Sequence, residues 1–275
     1  MGKIEAYLRL ARIEHGLMTG IAAVAGFLAV KWCFCDNLWV VFVSSVLAEV
    51  SLFAFNDIFN LEEDRINSPD RPLVRGELTR KEALAFALAS AAASIILAFQ
   101  LGTYPLVVLF AAIVLGNLYN AYLKRLSILG NLTVAGLTAT SFLYGSLSTG
   151  VAVPEKVVLF FIIAFLANVG REISKGIRDL EGDSKAGICT LACEVGVEEA
   201  GLIAAVFMSL AVVLSMAAVN YFTFKVLFIS LISVTDVIFI HAAYQMITKP
   251  SHAAGWVRKT TLIGMLLALI SFITP

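Results

Sequence analysis

Runs of about 20 mostly apolar residues, separated by short polar connections, repeat along the whole chain. An α-helix needs about 20 such residues to cross the hydrocarbon core of a bilayer. The connections leave no room for a separate soluble domain, so residues 1–275 are expected to form one all-α integral membrane bundle. The pattern predicts about nine transmembrane helices, at positions 14–32, 38–58, 81–100, 104–123, 129–148, 156–174, 198–219, 224–247 and 255–274.

Two connections are longer and more polar than the others, at about 61–80 and 177–196. Prolines interrupt any helix in the first, and the second contains several glycines. We expect both segments to form polar loops that cap the bundle on one side. Thr79 followed by Glu82 is a capping-box pattern, which predicts that the helix at 81–100 begins directly after Thr79.

The composition agrees with a membrane protein. Hydrophobic residues make up 60% of the chain, charged residues make up 15%, and the mean hydropathy is +0.90. A water-soluble domain of this composition would expose large apolar patches, which soluble proteins avoid. The sequence therefore argues against a soluble enzyme.

The cysteines do not show the spacing of a zinc site. They occur as two close pairs, Cys33 with Cys35 and Cys189 with Cys193, without a matching His or Cys set. A disulfide between Cys33 and Cys35 would be strained. We expect all the cysteines to be small buried or interfacial side chains, because free Cys packs like a small hydrophobe.

Basic residues are concentrated in alternate connections, which predicts the orientation in the membrane. By the positive-inside rule, the N-terminus and both long polar connections face the cytoplasm. Because these basic residues lie among acidic ones in loops at the membrane edge and do not form a separate basic face, we do not expect a nucleic-acid partner. The basic residues on the predicted cytoplasmic side are Lys3, Arg9, Arg12, Arg65, Arg71, Arg75, Arg80, Lys81, Lys124, Arg125, Arg171, Lys175, Arg178, Lys185, Lys249, Arg258 and Lys259.

Two acidic clusters each follow a strongly apolar run, and they are the most informative chemical feature of the chain. Helical spacing places the polar residues of each cluster on one face. Facing sets of carboxylate and amide oxygens suit Mg²⁺, whose coordination is completed by water and by substrate phosphates. We therefore predict a diphosphate site at the edge of the membrane. The clusters read Asn56-Asp57-x-x-Asn60-x-x-x-Asp64 and Asp179-x-x-x-Asp183.

Five further acidic residues lie outside the two motifs. Glu62 and Glu63 lie off the shared face of the first cluster and are expected to be solvated. Glu172 precedes Asp179 by two helical turns, and both a site role and a structural role remain open for it. Glu49 and Asp236 fall within predicted spans, where an ionisable side chain either serves function or pairs with another helix.

The two clusters resemble the motifs of the UbiA superfamily of membrane-embedded prenyltransferases. The family motif N-D-x-x-D-x-x-x-D is matched at 56–64, with Asn60 in place of an aspartate, and its D-x-x-x-D motif is matched at 179–183. The segment N-S-P-D-R-P-L at 67–73 and the stretch 119–125 also fit. The resemblance extends over nearly the full chain.

A longer stretch resembles one branch of the superfamily. Residues 170–183 read G-R-E-I-S-K-G-I-R-D-L-E-G-D, which is similar to the archaeal branch that makes digeranylgeranylglyceryl phosphate. Gly176 stands where that branch usually has aspartate, and Arg171 where ubiquinone-related members more often have tyrosine. The resemblance thus implies geranylgeranyl diphosphate as donor and geranylgeranylglyceryl phosphate as acceptor, in archaeal ether-lipid synthesis.

The resemblance also implies a bundle around a central cavity, open to the cytoplasm and laterally to lipid, with two Mg²⁺ ions bridging the diphosphate. Lys175 would assist departure of the diphosphate, and His15 would face the acceptor. The implied metal ligands are Asn56, Asp57, Asn60, Asp64, Asp179 and Asp183. The implied diphosphate-binding cations are Lys175, Arg71 and Lys124, followed by Arg65, Arg171 and Arg178.

Three other functions remain open at this stage. An aromatic acceptor, such as a quinone or chlorin precursor, would keep the chemistry and change the second substrate. A secondary transporter would use charges near the membrane midplane, although paired Gly or Pro interruptions of the helices are not evident. A lipid-binding scaffold without catalysis is suggested by the departures at Asn60 and Gly176.

Overall fold

The computed structural model describes residues 2–185 and 187–274, so Met1, Ala186 and Pro275 lie outside the described residues. Within these ranges the chain is helical and contains no strand. Its α-helices are α1 (Lys3–Ala11), α2 (Ile13–Leu28), α3 (Asp36–Phe59), α4 (Leu61–Asn67), α5 (Arg80–Phe99), α6 (Thr103–Ala121), α7 (Ser127–Leu147), α8 (Glu155–Lys185), α9 (Leu191–Val195), α10 (Val197–Ala218), α11 (Lys225–Thr248) and α12 (Pro250–Ile273).

Each of the nine predicted apolar segments coincides with one of these helices. In the described part of the chain, seven helices are long and apolar enough to cross a membrane: α3, α5, α6, α8, α10, α11 and α12. The two others are α2, which has 16 residues, and α7, which has 21 residues and is not among the seven. The structure therefore supports a multi-pass membrane protein, and the count of nine spans stays a prediction.

The start of α5 was predicted correctly from local sequence. Thr79 is the N-cap residue, and its Oγ1 accepts a hydrogen bond of 3.2 Å from the Glu82 backbone N–H. The Glu82 carboxylate in turn accepts a bond of 2.9 Å from the Thr79 N–H. Lys3 of α1 also binds Glu82, at 2.6 Å, so the capping box helps to hold the N-terminal helix.

The polar connections contain more helix than the sequence predicted. The segment 61–80 includes α4, and all of 177–185 is the continuation of α8, which runs unbroken for 31 residues. The expected loop character of this second segment was therefore wrong up to Lys185. Helical side chains at i and i+4 remain aligned along such a continuous helix, which keeps Asp179 and Asp183 on one face.

One expectation about cysteine was also wrong. Cys189 and Cys193 form a disulfide across the short helix α9, where a spacing of four residues brings their Cα atoms to 5.2 Å. Cys33 and Cys35 are free and partly buried, in agreement with the prediction.

Close contacts between backbones hold α2 against α7. A Cβ atom added at Gly145 would lie 1.8 Å from the carbonyl oxygen of Ala23, and one added at Gly26 would lie 2.1 Å from that of Phe142. Small residues allow such close approach between membrane helices, where packing rather than the hydrophobic effect drives association. Further along the chain, α8 packs against α7, α10 and α12, and α12 returns to α2.

We expect Gly145→Ala to lower the free energy of unfolding by about 1–3 kcal/mol, because the added methyl group meets backbone that cannot rotate away. Thermal unfolding of the purified protein in detergent would show a lower midpoint. Gly136→Ala on the same helix is the matched control, since a Cβ atom added there would meet no neighbouring atom of the described residues within 4 Å. Equal midpoints for the two variants would contradict the close contact.

Candidate active site

A large cavity, with an empty volume of about 2310 Å³ including its open mouth, lies among α2, α3, α4, α6, α7, α8, α10, α11 and α12. Its lining changes character along α8, from Ile163 and Ala167 to Lys175 and Asp183. Phe142 and Phe272 belong to both the cavity wall and an aromatic cluster, with ring centroids 5.9 Å apart. The cavity therefore joins a long apolar chamber to a charged end.

The first acidic cluster lies where α3 gives way to α4. Asn60 separates the two helices with φ −104° and ψ 23°, so the cluster does not lie on one continuous helix as the sequence predicted. Asn56, in the last turn of α3, donates a hydrogen bond of 2.8 Å to Asn120 of α6. Asp64 lies on α4 and lines the cavity. Because the helix breaks at Asn60, the residues of α4 that face the cavity differ from those that one continuous helix would present there.

Arg12 binds the first cluster, a contact that sequence reasoning missed. Its Nη2 donates to Asp57 Oδ1 at 2.5 Å and lies 3.5 Å from Asn56 Oδ1. Its guanidinium carbon lies 4.5 Å from the ring centroid of Phe53. Arg12 has a left-handed backbone (φ 43°), which non-glycine residues rarely adopt, at the junction of α1 and α2. The sequence suggested only a topology anchor there, because the contact joins residues 45 positions apart.

The second cluster, on α8, is held close to α4. Asn67 Nδ2 donates a hydrogen bond of 3.1 Å to Asp183 Oδ1. Gly182 allows this approach, because a Cβ atom there would lie 1.6 Å from Asn67 Oδ1. The side chain of Asn67 therefore packs against Gly182 and links α4, which carries Asp64, to the second acidic cluster.

Two glutamates lie inside the site, and one of them was predicted wrongly. Glu63 is buried, lines the cavity and accepts a hydrogen bond from Lys124, whereas the sequence predicted that it would be solvated. Glu172 is also buried, and it binds Arg171 at 3.0 Å and Lys175 at 3.2 Å. Glu172 therefore lies in the cavity wall, where it pairs with two cations.

The structure brings nearly all of the predicted site residues to the cavity. Asp57 is behind the wall, 1% exposed. Arg65 is outside it and pairs at 2.8 Å with the exposed Glu62, so we no longer place Arg65 at the substrate. The predicted residues that line the cavity are His15, Asn56, Asn60, Asp64, Arg71, Lys124, Arg171, Lys175, Arg178, Asp179 and Asp183.

Further polar residues line the same cavity. Asp236 accepts a hydrogen bond of 2.9 Å from Ser215 of α10, so it has a partner on another helix, one of the two alternatives that the sequence left open. Glu49 and the missed residue Arg258 also line the cavity. Arg258 had no motif around it, so only its approach to α8 in three dimensions identifies it.

Residues 16–270 match the family model described as the UbiA prenyltransferase family. The chain belongs to this family. Two similar relatives are both named digeranylgeranylglyceryl phosphate synthase. The one from Archaeoglobus fulgidus is 37% identical, with 99% of this chain and 97% of the relative covered. The one from Pyrococcus furiosus is 34% identical, with 98% and 97% covered.

Solved structures show the same UbiA fold. A digeranylgeranylglyceryl phosphate synthase structure matches with a TM-score of 0.76 at 29% identity, covering 99% of this chain and 98% of that chain. A UbiA homologue from Archaeoglobus fulgidus, solved with GPP and Mg²⁺, matches with a TM-score of 0.67 at 17% identity, covering 97% and 99%. The second match shows the fold alone.

The donor atoms of this UbiA site fit a divalent cation whose remaining coordination positions are filled by a bound ligand. Asp57 Oδ2 and Asp64 Oδ2 are buried without a hydrogen-bond partner among the described residues. Burial and the nearby Asp57 carboxylate raise the pKa of Asp64 to about 6, so a neighbouring cation would relieve an unfavourable concentration of negative charge. No group of three or more His, Cys, Asp or Glu side chains in the described ranges is arranged to hold a metal. Phosphate oxygens would therefore have to supply part of the coordination, as is usual for Mg²⁺.

Proposed function

We propose that this protein transfers the geranylgeranyl group of geranylgeranyl diphosphate to the free hydroxyl of geranylgeranylglyceryl phosphate, a step in archaeal ether-lipid synthesis. The observation that carries the proposal is one cavity in which both acidic clusters meet a long apolar chamber. Similarity over nearly the full length to relatives named for this reaction supports the choice of acceptor.

The cavity suits both halves of the donor. The apolar chamber would hold the isoprenoid chain and exclude water from the reacting carbon. Asp57, Asp64, Asp179 and Asp183, assisted by Asn56 and Asn60, would hold two Mg²⁺ ions. When bound, these ions would neutralise charge on the diphosphate.

Cationic side chains would stabilise the leaving group. As the acceptor hydroxyl bonds to C1 of the donor, the C–O bond to the diphosphate breaks and the diphosphate keeps the electron pair. The hydroxyl proton passes to the released diphosphate. Arg71, Lys124 and Lys175 line the charged end of the cavity, where they would bind this growing charge. Interactions that strengthen as the bond breaks lower the barrier.

The orientation in the membrane is part of the proposal. Most basic residues lie in the connections on the same side as the two acidic clusters. By the positive-inside rule, the N-terminus and the charged end of the cavity face the cytoplasm, where a water-soluble diphosphate head group and Mg²⁺ would enter. The two lipid substrates would enter laterally from the bilayer.

Purified protein should join a labelled geranylgeranyl group to geranylgeranylglyceryl phosphate in the presence of Mg²⁺, and EDTA should abolish the reaction. The assay offers 4-hydroxybenzoate in the same tube as a competing aromatic acceptor. A product with a second ether-linked geranylgeranyl chain supports the proposal. Prenylated 4-hydroxybenzoate as the sole product would overturn the acceptor, and no product with either acceptor would overturn the proposed reaction.

A further inference from the structure

A cluster of cations lies beside the second acidic cluster and has no role in the chemistry above. Arg171 and Arg178 belong to α8, whereas Arg258 belongs to α12, and all three line the cavity. The groups that act most strongly on Arg258 are Arg178, Arg171, Asp179 and Glu172. Arg258 thus faces the charged end of α8 from the neighbouring helix.

The positive charge in this cluster is not balanced by the protein. Arg171 and Lys175 share the single carboxylate of Glu172, and Arg178 occupies both oxygens of Asp179 at 2.6 Å. Arg258 makes no ion pair within 4.0 Å among the described residues. The like charges of Arg178 and Arg171 act on Arg258 more strongly than the carboxylates of Asp179 and Glu172 do, so an anion placed between the arginines would relieve their repulsion.

Arg171 and Arg258 each have an unused hydrogen-bond donor. Arg171 is only 7% exposed, yet its buried Nε has no hydrogen-bond partner in the described part of the chain, and the same is true of the buried Nε of Arg258. A buried donor without a partner costs free energy that a suitable ligand would recover. The planar guanidinium group matches the oxygens of a phosphate, so two such groups around one space favour a phosphate over a neutral ligand.

These arginines differ from the cations assigned to the donor. Arg71 acts on Asp64, and Lys124 acts on both Asp64 and Asp183. Arg71 follows α4 and Lys124 follows α6, whereas Arg171 and Arg258 belong to α8 and α12. Of the donor cations, only Lys175 shares α8 with Arg171. Arg171 and Arg258 therefore form a second cationic group on helices that carry neither Arg71 nor Lys124.

The acceptor requires a second anion site. Its hydroxyl and its phosphate are carried by one three-carbon glycerol unit, so the phosphate must come close to the donor diphosphate during transfer. The two anions repel each other strongly in a site of low dielectric unless each has its own cations. An aromatic acceptor without phosphate would need no such group.

We propose that Arg258 and Arg171 form a subsite for the phosphate of the acceptor lipid, separate from the donor diphosphate site. This inference rests on the proposed function, and it assigns Arg171 to the acceptor rather than to the donor. His15, which Arg171 and Arg258 both influence, lies beside the same subsite.

The test compares two acceptors, geranylgeranylglyceryl phosphate and geranylgeranylglycerol, in the parent and in Arg258→Gln. We expect kcat/KM with the phosphate acceptor to fall about tenfold to thirtyfold, the loss typical of a hydrogen bond to a charged group. The value with the alcohol acceptor and the KM for the donor should change less than about twofold. Lys259→Gln, an exposed neighbour on α12, is the matched control and should behave like the parent.

Equal losses with both acceptors, or a higher KM for the donor, would overturn the subsite. Arg171→Lys is a second variant: it keeps the charge beside Glu172 but loses the guanidinium fork, and it should show the same selective loss.

A binding experiment without donor separates this inference from the proposed function. The thermal shift of the protein measures how strongly each of the two lipids binds. If the parent transfers nothing yet binds the phosphate lipid in an Arg258-dependent way, the function fails and the subsite stands. Parent protein that binds both lipids equally would overturn the subsite.

Discussion

Asp64→Asn should reduce Mg²⁺-dependent prenyl transfer by on the order of a thousandfold, the scale of losing a preorganised electrostatic contact to the transition state. The substitution keeps the shape of the side chain and removes one negative charge. Asp64 lines the cavity, and its Oδ2 is buried and has no hydrogen-bond partner within residues 2–185 and 187–274. With less charge to hold Mg²⁺ against the diphosphate, the leaving group would be poorly neutralised. Initial rates measured across a Mg²⁺ titration give the effect.

Glu62→Gln is the matched control for this variant. It removes a carboxylate from the same short helix, but Glu62 is exposed and pairs only with Arg65. We expect its rate to stay within about twofold of the parent, because an exposed ion pair contributes little. Both variants should keep the parent unfolding midpoint in metal-free detergent solution to within a few degrees. A rate near the parent level for Asp64→Asn would remove Asp64 from the metal site.

The positions of the helices could be predicted from the sequence because they depend on local properties. Apolar runs of membrane-spanning length identify the long helices, and the Thr79–Glu82 capping box identifies the first turn of α5. The spacing of Asp179 and Asp183 was equally informative, since α8 continues through both residues without a break. In each case, the structure depends on residues within a few positions of one another.

The inward-facing residues of α4 could not be predicted in the same way. Helical spacing was extended from Asp57 to Asp64 as though one helix contained both, but the helix ends at Phe59 and a new one begins at Leu61. The non-helical backbone of Asn60 therefore shifts the helical phase of α4 relative to that of α3. Glu63 consequently turns inward and meets Lys124, a partner 61 positions away.

The two arginines missed by sequence reasoning have a related explanation. Arg12 and Arg258 lie in basic segments that look like ordinary topology anchors. Their distinguishing contacts are made to Asp57 on α3 and to the charged end of α8, both distant in sequence. Only the packing of α12 against α8 and α2 brings Arg258 to the cavity. Motif spacing predicted the two acidic clusters, and tertiary structure added Arg12 and Arg258 to the residues around them.

Gly182→Ala should reduce transfer by about a hundredfold, comparable to the loss of a partner that orients a metal ligand. The added methyl group would lie 1.6 Å from Asn67 Oδ1, so Asn67 must leave and its hydrogen bond to Asp183 is lost. The displaced side chain should also lower the free energy of unfolding by about 1–3 kcal/mol. Rates and unfolding midpoints in detergent measure the two effects, with Gly136→Ala as the control.

The double variant Asn67→Ala/Gly182→Ala separates steric strain from the positioning of Asp183. Removing the Asn67 side chain gives the new methyl group room, so the unfolding midpoint should return towards that of the parent. The rate should stay low, because Asp183 still lacks the donor that holds its carboxylate in place. Recovery of both properties would mean that the methyl group acts through strain alone. Recovery of neither would mean that Gly182 is needed for a contact other than the one with Asn67. Stability that recovers without activity would identify the bond between α4 and α8 as the feature that sets the geometry of the two acidic clusters.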